Sequence, residues 1–299
     1  MEKFTMHDDL HTDAAALLGG TGAASRRKAL GLMLGAGYAA AAAPLMAQTA
    51  IATSPDGLEV GEVSYPSGDF QVHAYRAAPK GGSGLPVILV ISEIFGVHEY
   101  IADVCRRLAH AGYLAIAPDL FERQGDPMAY GELAKLMSEV VAKVPDAQVM
   151  QDLDASVAWA GKHGGDAARV GITGFCWGGR ITWLYAAHAP VKAAVAWYGR
   201  LTGQDTPLQP KQPLALAAQV KAPVLGLYGG KDESIPESTI EQMKAGLAKA
   251  GAPANASRFV VYPDAPHAFH ADYRASYRKD AAEDGWKRTL AWFAQHGLK

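Results

Sequence analysis

The residue types able to do covalent chemistry converge on Arg169-Val-Gly-Ile-Thr-Gly-Phe-Cys-Trp-Gly-Gly-Arg180. Its first half is a short β-branched run, and its second half packs Gly174, Gly178 and Gly179 around Cys176. A Gly-x-nucleophile-x-Gly pattern between a strand and a helix is a nucleophile elbow, here with cysteine in place of serine. The sharp turn strains the backbone of its central residue, and small neighbours let strand and helix approach each other. The turn also puts Cys176 at a helix N-terminus, where unpaired N–H groups favour an anion. A thiol that ordinarily titrates near ~8.5 is thereby placed to react as a thiolate. A buried cysteine in a glycine-rich turn would give the same six residues.

A nucleophile of this kind needs a base, and the base needs an orienting acid. Asp232 follows an apolar strand in Gly229-Gly-Lys-Asp232, and His267 follows the last strand in Pro263-Asp-Ala-Pro-His267. Alone, each is an ordinary loop residue. Together, the order nucleophile, acid, histidine on loops at strand ends is the order of the α/β-hydrolases, and it predicts a triad Cys176–Asp232–His267.

The elements that must carry these loops alternate. Leu58–Tyr65 and Phe70–Tyr75 show period-two patterning about a turn at 66–69, which predicts an antiparallel pair at the edge of a larger sheet. Pro86–Ile91 and Tyr113–Ala117 are continuous apolar runs suited to strands buried on both faces. Helices are expected from Tyr100 to Ala111, about Ala129–Val144, Ala147–His163, from the elbow to Ala189, Pro236–Ala250 and Asp280–Gln295. Further strands are expected at 192–197, 223–228 and 258–262. This predicts an α/β-hydrolase fold, a mostly parallel central sheet covered by helices on both faces, with the long loops at its carboxyl end forming the site.

From about Leu58 to the C-terminus the chain resembles the dienelactone hydrolase family. The likeness rests on Glu93-Ile-Phe-Gly96, Ala117-Pro-Asp-Leu-Phe-Glu-Arg123, the elbow at 174–179, Gly229-Gly-Lys-Asp232 and His267-Ala-Phe269. The resemblance implies a hydrolase of small esters or lactones that works through an acyl-enzyme. It implies that Glu93 contacts the nucleophile in the resting enzyme, and that Arg123 and Tyr198 contact substrate, Arg123 through a carboxylate. The oxyanion hole is expected from the backbone N–H groups of Trp177 and Ile94. The family pattern has a small hydroxyl residue after the histidine and a second carboxylate-binding arginine a few positions on; this chain has Ala268 and then His270-Ala-Asp272, with Arg274 as a candidate substitute.

The 299 residues carry a formal net charge of -2 with charges scattered, which gives no basic patch for nucleic acid. Two cysteines, Cys105 and Cys176, exclude a disulfide framework, and Cys105 reads as helix packing. No cofactor is expected. Asp264, His267, His270 and Asp272 raise a metal-assisted alternative, although their spacing is not a recognised ligand motif. A thiol sensor or binding protein on the same fold is the other alternative, and it would not require the Asp–His pair.

The first 50 residues differ from the remainder. Ser25-Arg26-Arg27-Lys28 precedes an uncharged, alanine-rich run from Ala29 to Ala47. That layout is a twin-arginine export signal, with cleavage expected between residues 47 and 53; a membrane anchor and a disordered tail are the alternatives. Residues 1–50 are thus expected to be the signal region and 51–299 the hydrolase domain. The expected partners are a small ester or lactone and the twin-arginine export machinery, with the exported protein a periplasmic monomer.

Overall fold

The computed structural model describes residues 51–299, so the expected export signal lies outside the described residues. Eight strands form one sheet in the order β1-β2-β4-β3-β5-β6-β7-β8. They are β1 Leu58–Ser67, β2 Phe70–Pro79, β3 Leu85–Ile91, β4 Leu114–Pro118, β5 Gly165–Phe175, β6 Ala193–Trp197, β7 Val224–Gly229 and β8 Arg258–Tyr262. β2 runs antiparallel to both β1 and β4, and every other neighbour is parallel. The antiparallel edge and the parallel centre match the alternating and continuous apolar patterns respectively.

The helices are α1 Glu99–His110, α2 Leu133–Glu139, α3 Asp146–Lys162, α4 Trp177–His188, α5 Glu237–Lys249 and α6 Lys279–Gln295. Val87 to Ile91 in β3 are fully enclosed, and α4 is buried from Trp177 to Ala187. The core therefore lies along β3, β5 and β6, directly beneath the elbow. α1 carries Glu99 in its first turn and Arg107 and His110 in its last, charges that complement the helix dipole.

One expected element breaks up. The single helix anticipated over 129–144 is a 3₁₀ turn at Pro127–Ala129, then α2, then a second 3₁₀ turn at Val141–Lys143. Tyr130 and Glu132 are extended on either side of Gly131, and Val140, first of a β-branched pair, has φ −118°. Glycine and β-branched residues both weaken a helix interior. β5 also begins earlier than its β-branched run: Asp166 pairs with Pro86 and the next registered pair is Val170 with Val87.

The topology fixes where ligands bind. From β3 the chain crosses through α1 to β4 on one side, and from β4 it returns past β3 to β5 on the other. In an open α/β sheet the crevice forms where connections diverge in this way, outside the carboxyl ends of the two strands. Those ends are followed by Glu93 and Ile94 after β3 and by Cys176 after β5.

Candidate active site

Cys176 caps α4 with φ 55° and ψ −114°, a left-handed region conformation that costs energy for any residue with a Cβ. Close packing over-determines it. A Cβ on Gly174 would lie 2.2 Å from the Gly178 carbonyl oxygen, and one on Gly178 would lie 2.3 Å from that of Ile91. The elbow glycines are thus required by the press of α4 against the ends of β3 and β5. The Cys176 amide donates to Trp197 O at 3.0 Å, and its carbonyl accepts from the Arg180 amide at 3.2 Å, which leaves the half-buried thiol as the free end of the turn.

The acid and histidine loops are zipped together by main chain. Gly230 N donates to Tyr262 O at 2.8 Å and Lys231 N to Ala265 O at 3.0 Å. This sets His267 Nδ1 2.6 Å from Asp232 Oδ2, with the Asp232 side chain fully enclosed. Ser234 donates to the other carboxylate oxygen, from Oγ at 2.6 Å and from its amide at 3.0 Å. Burial works against charge on Asp232, but the His267 and Ser234 hydrogen bonds prevail and hold its carboxyl below the ordinary range.

His267 also lies close enough to Cys176 for the two to act on each other's charge. Burial opposes a charged imidazole, yet the negative charge of Cys176 and the hydrogen bonds to Asp232 and Cys176 push His267 up to about 10. The structure thus joins Asp232 and His267 directly and sets Cys176 near the imidazole. Trp177, as first residue of α4, carries one of the amides with no intrahelical acceptor. The Ile94 amide likewise finds no main-chain acceptor among the described residues.

Glu93 is enclosed at 1 % exposure and takes hydrogen bonds from His98 Nε2 at 3.3 Å and from the Tyr273 hydroxyl at 3.5 Å. Its surroundings thus supply two partners other than the thiol. Tyr198 has φ 38° and is fully buried, with its ring 5.1 Å edge-on from that of His267. Burial, reinforced by the charges of Glu93 and Cys176, keeps its phenol neutral.

Arg123, expected to contact a substrate carboxylate, forms an ion pair with Asp152. Its guanidinium meets both oxygens of the enclosed Asp152 of α3, at 2.5 and 2.9 Å, and lies 4.2 Å over the Phe70 ring. A buried carboxylate needs a counter-charge, and Arg123 supplies it. Arg274 is buried with its guanidinium over the rings of Phe95 and Tyr273.

The residues behind the metal-assisted alternative also separate. Asp264 pairs with Lys231 at the surface, Asp272 pairs with Arg107, and His270 Nδ1 bonds the Tyr100 hydroxyl at 2.6 Å. Among the described residues no group of three or more His, Cys, Asp or Glu side chains could hold a metal. Sequence reasoning missed Ser234, His98, Tyr273 and Asp152. Only Ser234 left a signal, since an Asp-x-Ser turn lets a carboxylate accept from the amide two residues on.

Residues 72–297 match the dienelactone hydrolase family. The chain belongs to that family. It is 58 % identical over 276 residues to a Methylorubrum extorquens protein provisionally assigned as a carboxymethylenebutenolidase, covering 92 % of this chain and 94 % of that one. An Escherichia coli K12 protein with the same assignment is 56 % identical over 265 residues, covering 88 % and 96 %. Its fold is similar to the crystal structure of a Klebsiella pneumoniae protein described as a dienelactone hydrolase, with TM-score 0.77, 58 % identity and coverage of 80 % of this chain and 99 % of that one. This dienelactone hydrolase-like protein is accordingly a hydrolase of carboxylic esters on the α/β-hydrolase fold. Among its described residues no helix is long and apolar enough to cross a membrane.

Proposed function

We propose that the protein hydrolyses small esters or lactones through a Cys176–His267–Asp232 triad and an acyl-enzyme. The observation that carries this reading is the 2.6 Å contact between His267 Nδ1 and Asp232 Oδ2, with Cys176 near enough to influence the imidazole. The thiolate attacks the carbonyl carbon, and the amides of Trp177 and Ile94 receive the developing oxyanion. Collapse expels the alkoxide, which takes its proton from the imidazolium of His267, and a thioester remains on Cys176. For a lactone the leaving hydroxyl stays tethered to the acyl group. Water, deprotonated by His267, attacks the thioester, and the carboxylic acid departs as the thiolate reforms.

Each oxyanion donor contributes about 2.7–4 kcal/mol in comparable sites. Because both are main-chain groups, side-chain substitution at Trp177 or Ile94 alters packing without removing the donor. The names of the relatives extend the proposal to the carboxymethylene-butenolide dienelactone as a substrate to be tried.

The test is steady-state hydrolysis of a chromogenic short-chain ester and of dienelactone by the wild type and by Cys176→Ala, with rapid-quench mass spectrometry for a thioester on the peptide carrying Cys176. Turnover that survives Cys176→Ala would overturn the triad. Stoichiometric labelling of Cys176 without turnover would favour the thiol sensor instead.

We propose separately that residues 1–50 direct twin-arginine export to the periplasm, supported by Arg26-Arg27 ahead of an uncharged run. Expression of the full chain with Arg26→Lys and Arg27→Lys should abolish the periplasmic form and its shortened mass. Export unaffected by both changes would remove the proposal.

A further inference from the structure

The segment that leads into β1 is fastened to α1 through its main chain. Thr53 N donates to Asp103 Oδ1 at 2.5 Å, Thr53 O accepts from Arg106 Nε at 2.9 Å, and Ser54 O meets His110 Nε2 at 2.8 Å. The hydrolase reading uses none of these contacts, and β1 begins only at Leu58.

Asp103 is 1 % exposed, and a buried carboxylate needs a counter-charge as well as hydrogen bonds. The guanidinium groups that face it are divided among several acids. Arg106 Nη2 lies 3.2 Å from Asp103 Oδ1 and also binds Glu99, while Arg107 meets Asp103 Oδ2 and Asp272 Oδ2, each at 2.5 Å. Arg106 and Arg107 thus serve three carboxylates between them. The nearer donor to Asp103 Oδ1 is the Thr53 nitrogen, which as a peptide amide carries no full charge. As a chain terminus the same nitrogen would be an ammonium group, and a hydrogen bond between ionised partners is roughly twice as strong as a neutral one.

The residues just before Thr53 supply the means. Export signals are removed after small residues in an A-x-A pattern. Within the expected window of 47–53 the triplet that meets it is Ala50-Ile-Ala52, whose last residue directly precedes Thr53. Ile51 and Ala52 are exposed and belong to no helix or strand, the condition in which chains are cut, and burial sets in at Thr53.

We infer that Ala52–Thr53 is the bond at which this chain is processed, and that the ammonium group released on Thr53 forms an ion pair with the buried Asp103. The host's signal peptidase adds one water across the peptide bond. Ala52 leaves as a carboxylate at the end of the signal, and the Thr53 nitrogen keeps the electron pair of the broken bond and is protonated. The inference rests on the export reading proposed above and adds to it the bond that is cut and the partner of the new terminus.

The test starts from the full chain expressed in a host with twin-arginine export, the periplasmic form being characterised by intact mass and N-terminal sequencing. It should begin at Thr53. Ala52→Phe should abolish that terminus, and Ala47→Phe should leave it unchanged. An exported chain that begins at Gln48, or at any residue other than Thr53, overturns the inference while export stands. A full-length chain found wholly in the cytoplasm removes the export reading and the inference together, so the two failures are distinguishable.

The ion pair is read on the processed protein by acylating its α-amine with N-hydroxysuccinimidyl acetate at pH 7 and quantifying the peptide that starts at Thr53. Acylation needs the uncharged amine, which a carboxylate partner withholds, so Asp103→Asn should react at least about tenfold faster than the wild type. Ester turnover by the variant reports that it remains folded. The wild type alone gives a second reading: the pH dependence of its acylation rate should place the Thr53 amine well above the ordinary α-amino range of ~7.7–8.0. Equal rates in the two proteins, or an amine at or below that range, overturn the ion pair.

Discussion

His98 Nε2 lies 3.3 Å from Glu93 Oε2, and both side chains are buried in the wall of the crevice. Burial alone would protonate Glu93, but the hydrogen bond and charge of His98, with the charge of Arg274, hold its carboxyl below the ordinary range. Glu93 is thus an ionised group tied back by His98 and Tyr273. Glu93→Gln should therefore change the rate of Cys176 alkylation by iodoacetamide at neutral pH by less than about threefold. An increase of tenfold or more would show that Glu93 restrains the thiol. His98→Ala removes the donor from a buried carboxylate and should cost about 1–3 kcal/mol in denaturant unfolding.

The two cysteines differ sharply in environment. Cys105 is fully enclosed on α1, and burial pushes its thiol well above the ordinary range, whereas Cys176 is half-buried at the head of α4. Titration of the native protein with a disulfide reagent should find one reactive thiol per chain, rising to two in denaturant. The Cys176→Ala variant should give none until it is unfolded. A second thiol reacting at a similar rate in the native state would contradict the enclosure of Cys105.

The positions of Cys176, Asp232 and His267 were legible because each sits in a pattern that serves local structure. Cys176 is framed by glycines that the press of α4 on β3 demands, and Asp232 and His267 each follow an apolar strand whose carboxyl end the alternation of elements predicts. What sequence could not show is pairing across the fold. Nothing near Arg123 announces that Asp152, 29 residues later on α3, will claim its guanidinium, and nothing in His98 marks it as the partner of Glu93. Short polar side chains acquire partners from tertiary packing, which has no period along the chain. The break at Tyr130–Glu132 shows the same limit at the level of secondary structure, where Gly131 outweighs an otherwise helical pattern.

The Arg123–Asp152 pair should be costly to break and cheap to replace. Asp152→Ala leaves a half-buried guanidinium over Phe70 without its carboxylate, and denaturant unfolding should register a loss of about 3–5 kcal/mol. Replacing both partners with apolar residues, Arg123→Met with Asp152→Leu, should recover most of that loss, because the desolvation of two charges is relieved together. A single variant that unfolds at the wild-type denaturant concentration would mean that solvent already screens the pair.

His267 gives the enzyme its alkaline limit. Its folded-state value is pushed up to about 10 from an ordinary 6.5, against burial, by the negative charge of Cys176 and the hydrogen bonds to Asp232 and Cys176. At neutral pH the imidazole therefore rests protonated, the form in which a leaving group can take its proton. The kcat/KM profile should fall through an apparent value near 10, a property of the coupled pair rather than of either residue. In Cys176→Ala the largest raising influence is gone, so the His267 ring protons followed by NMR should titrate well below that value; Asp232→Asn should lower it too. The sign for stability follows from linkage. The folded-state value exceeds the unfolded one, so the native form binds the extra proton between them. Its stabilisation is fully present below pH 6.5 and is lost as pH rises toward about 10. Thermal midpoints of the wild type should fall across that window more steeply than those of Cys176→Ala. A wild-type imidazole that titrates between 6 and 7, with no such slope, would show that Cys176 carries no charge in the resting enzyme and that His267 must act first as a base.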